Sequence, residues 1–542
     1  MKKIYNFVLK NRIVLVLNVI LAMGIFVRVY NFHDWLRFHK DEARDASIIR
    51  DVISNGHALP LLGPVVGTTD FKLGPIFYYF QYVSAKIFGL APDVLAYPDL
   101  FFSILSIPLL YFLLKRFFSK NISLLLMALY AVDFFAIRYA RFAWNPNSQP
   151  FFLMLFLYAF LEIVSAKTDK SKWFWATVVG ISLGVGVQLH ILFLLSIPVM
   201  TLIFFFYLRR EGKLNWKMLF WIVSIAFFLN LPVVFSEIGS GGKNTLEFIK
   251  VVFYEPPQLG TPITTMQCLS HVNTYILTSI GEDNYCKTIT KNDGKILVDF
   301  FTNGFKNILT ASIVFFSLLL TLGGYVLLGY FIKREANFEK KIFLHFISIF
   351  FIVSFIVCLL VLNPMTMRYF VIVEIVPFIF LGLWLKYILG FKRFWKYLIA
   401  FVLFLFLFGM NFQSIAAEVE YLNGRAPEMP YGVINLTLGE AELFSNFIFE
   451  HANHSKPVYL NGRNVSLENV LAALDYLPAS SQLKISSIKK QQTTDATFFA
   501  FGPISNPDLE KNLTEDEKNI YQLKNYASNG RYFIMQLERK QK

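Results

Sequence analysis

The chain has 542 residues, of which 55% are hydrophobic and only 16% are charged, and its mean hydropathy is +0.50. Soluble domains are about 45–50% apolar and about 25% charged, so this composition excludes an ordinary soluble enzyme and indicates a membrane protein. The formal net charge of +14 arises from short Lys and Arg clusters between apolar runs. That distribution is typical of membrane topology, and we expect no nucleic-acid partner.

Long apolar runs recur along the first 416 residues, where a membrane barrel would have short alternating strands. The first run, from about Ile13 to Tyr30, is long enough to span a bilayer and has no small-residue cleavage site, so we expect a retained first helix. About eleven such spans are predicted in all. The sequence therefore predicts an all-α polytopic membrane protein.

The connectors between the spans alternate between basic and non-basic sequence. By the positive-inside rule, the basic connectors and the N-terminus face the cytoplasm. The outer segments then include residues 32–97, a loop over about 236–300 and everything after about residue 416. We therefore expect a multi-pass protein of the plasma membrane whose long loops and C-terminal part are extracytoplasmic.

The first outer loop, residues 32–97, contains two helical patterns. Apolar residues at helical spacing over 41–54 predict an amphipathic helix on the membrane surface. Residues 75–90 form a second apolar stretch, and its Lys86 and short length favour an interfacial or re-entrant helix over a further span.

After the last span the composition becomes mixed and polar. One helical pattern and three strand-like runs predict a small α/β fold there. These patterns cover residues 440–451, 457–460, 497–501 and 532–537. The chain is thus divided into a transmembrane domain, residues 1–416, and an extracytoplasmic α/β domain, residues 417–542.

Three cysteines are present without a CxxC motif, so neither a zinc ribbon nor a redox motif is supported. Cys268 and Cys286 share the long outer loop, where oxidation is permitted. The sequence leaves open whether they form a disulfide. Cys358 falls within a span and is interpreted as a small apolar residue.

A burst of charge that includes Asp41 and Glu42 follows the first span directly. One interpretation is a solvated helix start, because acids in the first turn are stabilised by the helix dipole. The other is chemistry, with one carboxylate acting as a general base. His33 and His39 flank the pair without a metal-ligand spacing, so no metal site is assigned.

Cations also occur on the predicted outer side, where the positive-inside rule leaves few. They are Lys72, Arg138, Arg141 and Arg368. Lys72 fits an interfacial lysine that snorkels, and it also fits a ligand for a lipid phosphate. Several cations opposite an acid pair would make a site for an anionic lipid headgroup.

The order of these motifs resembles the GT-C-type membrane glycosyltransferases that use polyprenyl-phosphate sugars, including protein O-mannosyltransferases and aminoarabinose transferases. Asp41-Glu42-Ala43 resembles the Asp-Glu-Ala-like motif that follows the first span. Lys72-Leu73-Gly74-Pro75, followed by Tyr78 and Tyr79, is similar to the Lys-Pro-Pro-like start of an aromatic helix. Ala140 to Asn145 resembles the outer turn after the third span.

The resemblance implies an inverting transfer in which Asp41, or its neighbour Glu42, acts as the catalytic base. It implies that Lys72, helped by Arg138, Arg141 and Arg368, binds the donor phosphate. Positioning of the acceptor or substrate would fall to the remaining candidates, His39, Tyr78, Asn145 and Asn147. No cofactor is assigned, and a divalent cation is left open.

The expected partners are membrane lipid, a polyprenyl-phosphate-linked sugar as donor, and a glycan, lipid or protein acceptor. Two other functions fit a multi-span protein with outer cations. A transporter or flippase of lipid-linked sugars is disfavoured because no internal repeat is evident. A polysaccharide polymerase or ligase is disfavoured because the distinctive acids lie in the first outer loop.

Overall fold

The structure is a computed structural model, and it describes residues 2–67, 69–251, 261–280, 286, 308–361, 367–425, 436–462, 466–487, 496–504, 513 and 515–540. Within these residues the chain is mostly helical, with a small sheet near the C-terminus. The helices before the sheet are α1 Lys2–Val29, α2 Lys40–Ser54, α3 Ile76–Phe88, α4 Tyr97–Leu114, α5 Lys120–Ala131, α6 Phe134–Tyr139, α7 Gln149–Ser165, α8 Asp169–Leu189, α9 Ile191–Arg210, α10 Trp216–Leu229, α11 Leu231–Ser240, α12 Lys243–Ile249, α13 Pro262–Thr278, α14 Ile308–Arg334, α15 Phe338–Val361, α16 Val376–Leu389 and α17 Trp395–Leu422.

Eight helical segments among the described residues are long and apolar enough to cross a membrane. The pair α10 and α11, bent by 61°, would make a ninth, and α5 and α7 are shorter apolar helices. The number of about eleven spans stays a prediction, whereas eight or nine spans already make a multi-pass helical fold. The all-α polytopic fold predicted from the hydropathy pattern is therefore confirmed, and α2 and α3 form in the first outer loop where helices were predicted.

Side-chain caps fix the starts of several of these helices. Ser119, Asp133, Thr168 and Asn215 each accept a hydrogen bond from a backbone N–H in the first turn of α5, α6, α8 and α10. The first backbone N–H groups of a helix have no partner within it. Because lipid offers no hydrogen bonds, such caps decide where a span begins.

Helix α13 corrects the prediction of a continuous loop over about 236–300. It packs against α14, α16 and α17, so it belongs to the helical bundle. Its inward polar side chains pair with α14: Asn273 donates to Thr321 at 3.0 Å and Thr274 to Ser317 at 2.7 Å. These polar residues lower the hydropathy, which is why the apolar pattern did not reveal the helix. A disulfide joins Cys268 in α13 to Cys286.

A buried arginine near the end of α1 ties three helices together. Arg28 is fully buried and donates to Ser103 of α4 at 3.0 Å. It also donates to the carbonyl oxygens of Tyr130 and Ala131, at the end of α5, at 3.3 and 2.7 Å. A buried cation persists only where its donors are satisfied, so this network sets the relative depth of α1, α4 and α5.

The C-terminal unit is a five-stranded sheet with helices on it. Its helices are α18 Leu438–His451, α19 Leu467–Tyr476 and α20 Glu515–Ile520, and its strands are β1 Val458–Gly462, β2 Ile485–Ser487, β3 Thr497–Pro503, β4 Tyr521–Ser528 and β5 Tyr532–Arg539. The strand order is β2-β1-β3-β5-β4. Strand β1 is parallel to β2 and β3, whereas β5 is antiparallel to β3 and β4. The predicted helix and three predicted strands are present, and β2, β4, α19 and α20 are additional.

The first outer loop and the C-terminal unit share one hydrophobic cluster. Phe38, Ala46 and Tyr78 of the loop belong to the same buried cluster as Leu474 and Tyr476 of α19. The Tyr476 hydroxyl donates to Leu90 O at 2.6 Å, and its ring centroid lies 5.5 Å from that of Phe38. The C-terminal unit is therefore packed directly onto the helix that carries the acid pair.

Tyr476→Ala should loosen this contact. The substitution removes a buried aromatic ring and the hydrogen bond to Leu90, and truncations of buried aromatic residues cost about 3–5 kcal/mol. We expect faster amide hydrogen exchange in α2 and a lower thermal midpoint in detergent. Tyr526→Ala is the control because Tyr526 is 60% exposed. Unchanged exchange in α2 would contradict this account of the docking.

A histidine at the same junction is paired with two carboxylates. His33 Nε2 lies 3.1 Å from Glu442 of α18 and Nδ1 lies 3.4 Å from Asp93. Burial lowers the pKa of His33, but the two carboxylates outweigh it and raise the pKa above its ordinary 6.5. The stability that protonated His33 adds to the folded protein is complete below pH 6.5. It is lost as the pH rises through the raised pKa of His33.

We expect the thermal midpoint of the wild type to fall more than that of His33→Gln between about pH 6 and about pH 9. Other titrating groups act equally in both proteins, so the difference between the two curves isolates His33. Parallel curves would show that His33 does not couple the loop to α18.

Candidate active site

Glu42 closes the start of α2. Its Oε2 accepts a hydrogen bond from the His39 backbone N–H at 3.1 Å, and its Oε1 lies 3.1 Å from Arg37 Nε. The side chain is only 3% exposed. Burial raises the pKa of Glu42 despite the attraction of Arg37. The carboxylate is therefore engaged in capping the helix and is closed to solvent.

His39 is the residue that immediately precedes α2, and it is buried. Burial, followed by the charge of Arg37, lowers the pKa of His39 to about 3. The imidazole is therefore neutral near neutral pH.

Asp41 is the accessible acid of the pair. Its side chain is 54% exposed, and its Oδ1 accepts a hydrogen bond from Arg44 Nη1 at 3.1 Å. Adjacent residues on a helix point about 100° apart, which is why Asp41 faces outward while Glu42 faces the interior. Of the two predicted catalytic acids, Asp41 is the one that is open to solvent.

Asp45 is a third acid, which the sequence analysis did not select. It is buried, and its Oδ1 accepts hydrogen bonds from Arg44 Nε at 2.9 Å and from the Tyr78 hydroxyl at 3.0 Å. Burial raises the pKa of Asp45 to about 7, against the opposing effects of Arg44 and Tyr78. An acid one helical turn after Asp41 was the available signal, since such residues are neighbours on a helix.

Lys72 lies on a short hairpin that precedes α3. Gly63 N–H donates to Leu73 O at 2.7 Å, and Val65 and Lys72 form an isolated antiparallel bridge. The Asn244 side chain holds the Lys72 backbone at both its N–H and its C=O, at 2.8 and 3.0 Å. The Lys72 side chain itself is exposed. The backbone is thus fixed while the ammonium stays open to solvent.

The turn after α6 is held by hydrogen bonds among buried groups. Asp99 of α4 accepts from Trp144 N–H at 3.0 Å and from the Ser148 hydroxyl at 2.5 Å. Asn145 donates to Leu189 O, and Asn147 donates to Phe142 O at 2.8 Å. Both amides are buried, so these two hydrogen bonds hold the turn in place.

The three candidate arginines are in different situations. Arg141 is buried and donates to the carbonyl oxygens of residues 28, 30 and 31 at 2.8, 2.9 and 3.0 Å, so it caps the end of α1. Burial lowers the pKa of Arg141 to about 10, and Glu418 opposes this effect. Arg138 is half-buried and lies within electrostatic reach of Glu418. Arg368 lies in a 3-10 turn over Met367–Val373, and its side chain is outside the described residues.

The structure links the predicted residues Asp41 and Tyr78 through two residues that were not predicted, and it bonds Glu42 to His39. Bonds run continuously from Asp41 through Arg44 and Asp45 to Tyr78, which links α2 to α3. Lys72 comes four residues before α3. Among the residues that the structure describes, no group of three or more His, Cys, Asp or Glu side chains could hold a metal ion.

Comparisons with known proteins agree with this architecture. The family described as dolichyl-phosphate-mannose-protein mannosyltransferase matches residues 72–235. The archaeal oligosaccharyltransferase AglB from Archaeoglobus fulgidus, solved with an inhibitory peptide and a dolichol-phosphate, gives a TM-score of 0.51 at 11% identity, over 92% of this chain and 70% of that chain. ArnT from Cupriavidus metallidurans gives 0.47 at 12% identity, over 97% and 98%. A comparison with curated proteins found no match.

At these identities the solved structures establish the fold alone. The likeness to AglB and the family match over 72–235 confirm the resemblance to GT-C-type membrane glycosyltransferases. The matched segment begins at Lys72 and continues through α3 into α11, so Asp41 lies outside it. These findings support a membrane glycosyltransferase as the general kind of protein.

Gly74→Ala should destabilise the segment that follows Lys72. A Cβ at residue 74 would overlap with the Gln188 side chain. Gln188 cannot easily move, because it accepts from Ile76 N–H at 3.2 Å and donates to Leu229 O at 3.0 Å. Overpacking of this kind costs about 1–3 kcal/mol.

The expected result is a lower thermal midpoint together with faster hydrogen exchange in the hairpin. Gly409→Ala in α17 is the matched control, since a Cβ there meets no atom within 4 Å. Equal stability of the two variants would disprove the close packing of the Lys72 segment on α8.

Proposed function

We propose that the protein is an integral membrane glycosyltransferase that moves a sugar, hexosyl or pentosyl, from a polyprenyl-phosphate donor to an extracytoplasmic acceptor with inversion. One observation carries the proposal. Two accessible charged groups lie near the starts of two helices that pack on each other. The carboxylate of Asp41 is in the first turn of α2, and the ammonium of Lys72 comes shortly before α3. The acceptor is a lipid, a glycan or a protein.

The chemistry needs a base and a site for the leaving phosphate. Asp41 takes the proton of the acceptor hydroxyl, and the oxygen attacks the anomeric carbon on the face opposite the phosphate. A new C–O bond forms as the bond from the anomeric carbon to the phosphate oxygen breaks, and its electron pair stays on the phosphate. Lys72 stabilises that charge, so the leaving group needs no proton.

The contacts of the other candidates favour supporting roles. Glu42 and Arg141 are engaged with backbone groups, and the amides of Asn145 and Asn147 hold the turn after α6. A role in binding the donor phosphate therefore stays a prediction for Arg138 and Arg368. The proposal needs no divalent cation, because Lys72 supplies the positive charge.

The site is proposed to face the outside of the plasma membrane, with the N-terminus in the cytoplasm. The alternation of basic and non-basic connectors supports this orientation. A lipid-borne donor reaches such a site along the membrane surface, with its phosphate at the level of the interfacial groups. The C-terminal unit, packed on α2, would then cover the acceptor side.

The direct test is the release of free polyprenyl phosphate. Purified protein in detergent is incubated with synthetic polyprenyl-phosphate hexoses and pentoses and a membrane extract as acceptor, and the lipid products are measured by mass spectrometry. Asp41→Asn should lose about 10²–10⁴-fold in rate because the base is removed. Lys72→Ala should lose about 10²-fold or more because the leaving charge is uncompensated.

Asp51→Asn and Lys86→Ala are matched controls on α2 and α3. The Asp51 side chain accepts a hydrogen bond from the Asn55 amide at 3.2 Å, at the far end of α2 from Asp41, and Lys86 lies over the ring of Tyr82. Both should retain the wild-type rate. Movement of the donor across sealed vesicles without any release of polyprenyl phosphate would contradict the transferase proposal and indicate a transporter.

A further inference from the structure

We propose that Asp45, anchored by Tyr78, is a positioning residue that fixes the carboxylate of Asp41 through Arg44. The inference rests on the proposed function, in which Asp41 is the base. It assigns a task to a buried acid and a buried tyrosine that do not reach the solvent-facing site themselves.

The anchor is the contact between Asp45 and Tyr78. Both residues are buried, at 4% and 3% exposure, and the hydroxyl donates to Asp45 Oδ1 at 3.0 Å across the α2–α3 contact. A buried carboxylate is costly unless it is paired and hydrogen-bonded, so each bond to Asp45 offsets part of that cost. Asp45 is thereby held in one place relative to α3.

Arg44 transmits this position to the surface. Its Nε and Nη2 atoms lie 2.9 and 2.8 Å from Asp45 Oδ1, and its Nη1 donates to Asp41 Oδ1 at 3.1 Å. The Nε and Nη2 edge of the planar guanidinium therefore contacts the buried Asp45, and Nη1 contacts the exposed Asp41. A half-exposed arginine would otherwise sample many rotamers, and the buried acid removes that freedom.

The contact between α2 and α3 also relates Asp41 to Lys72, although the chain of bonds from Asp41 ends at Tyr78. Tyr78 lies on α3, six residues after Lys72, and the Lys72 backbone is clamped by Asn244. Asp41 and Lys72 are therefore each held in place next to helices that pack together at the α2–α3 contact. A fixed spacing matters because a misplacement of about 1 Å in a reacting group costs about 10²-fold in rate.

A purely structural role for Asp45 is the competing explanation, in which the residue only joins α2 to α3. The two roles differ in what they predict. A structural loss lowers the amount of folded protein and leaves the turnover of the folded fraction intact. A positioning loss lowers kcat in a fully folded enzyme and leaves the donor KM unchanged.

The test uses Asp45→Asn and Tyr78→Phe in the full-length protein, with Asp51→Asn and Tyr79→Phe as controls. Tyr78→Phe removes a single hydroxyl and keeps the buried ring, so it guards against failure of Asp45→Asn to fold. Tyr79 is a fair control because its hydroxyl donates to Pro60 O, away from the acids.

We expect each test variant to lose about tenfold to a hundredfold in kcat with the donor KM within about twofold. The double variant should be no worse than Asp45→Asn within about threefold, because both changes break one chain. Both controls should keep the wild-type kcat. A wild-type kcat in folded Asp45→Asn overturns the proposal.

A second readout does not depend on activity. Carbodiimide coupling of an amine to Asp41, followed by mass spectrometry, reports how firmly Arg44 holds that carboxylate. Coupling should be faster in Asp45→Asn and Tyr78→Phe than in wild type, Asp51→Asn and Tyr79→Phe. If the wild type releases no polyprenyl phosphate, the proposed function fails, while equal coupling rates in all five proteins would overturn the positioning chain by themselves.

Discussion

The packing of the first loop on the C-terminal unit depends on how α2 is held. A 15-residue helix rich in charge is marginal by itself in water, so its position has to come from packing. Helix α3 supports it on one side and α19 on another, and all three contribute to one buried cluster. The first outer loop and the C-terminal unit are therefore packed together, and the placement of Asp41 depends on contacts such as the Tyr476–Leu90 hydrogen bond, whose residues are 386 apart in sequence.

A second constraint lies beneath that body, where arginines bind the ends of helices. Arg28 donates to carbonyl oxygens at the end of α5, and Arg141 donates to those at the end of α1. The C-terminal end of a helix carries partial negative charge and unpaired carbonyls, so a guanidinium fits it well. Arg141 is unusual for the predicted outer side of a membrane protein only when it is counted as a topology signal. As a helix cap it is expected there.

Much of the fold was predictable because it follows from periodic patterns. Long apolar runs gave the spans, and helical spacing gave α2, α3 and α18. Helix α13 was missed because its Thr, Ser and Asn side chains are satisfied by partners on α14, which hydropathy cannot register. Strands β2 and β4 were missed because a three-residue edge strand and a strand with mostly polar, exposed residues carry weak signals.

The site was harder to predict because neighbouring residues with the same chemistry have opposite environments. Asp41, Glu42 and Asp45 are all acids on α2, yet one is open to solvent, one caps the helix and one is buried against Tyr78. Asp41 and Asp45 differ by only about 40° around the helix axis, so the boundary between solvent and core has to pass between them. That boundary is set by α3 and α19, which lie far away in sequence. The proposed roles of the two acids follow this boundary, because an acid that takes up a proton must be reachable, whereas an acid that holds an arginine in place works best where water is excluded.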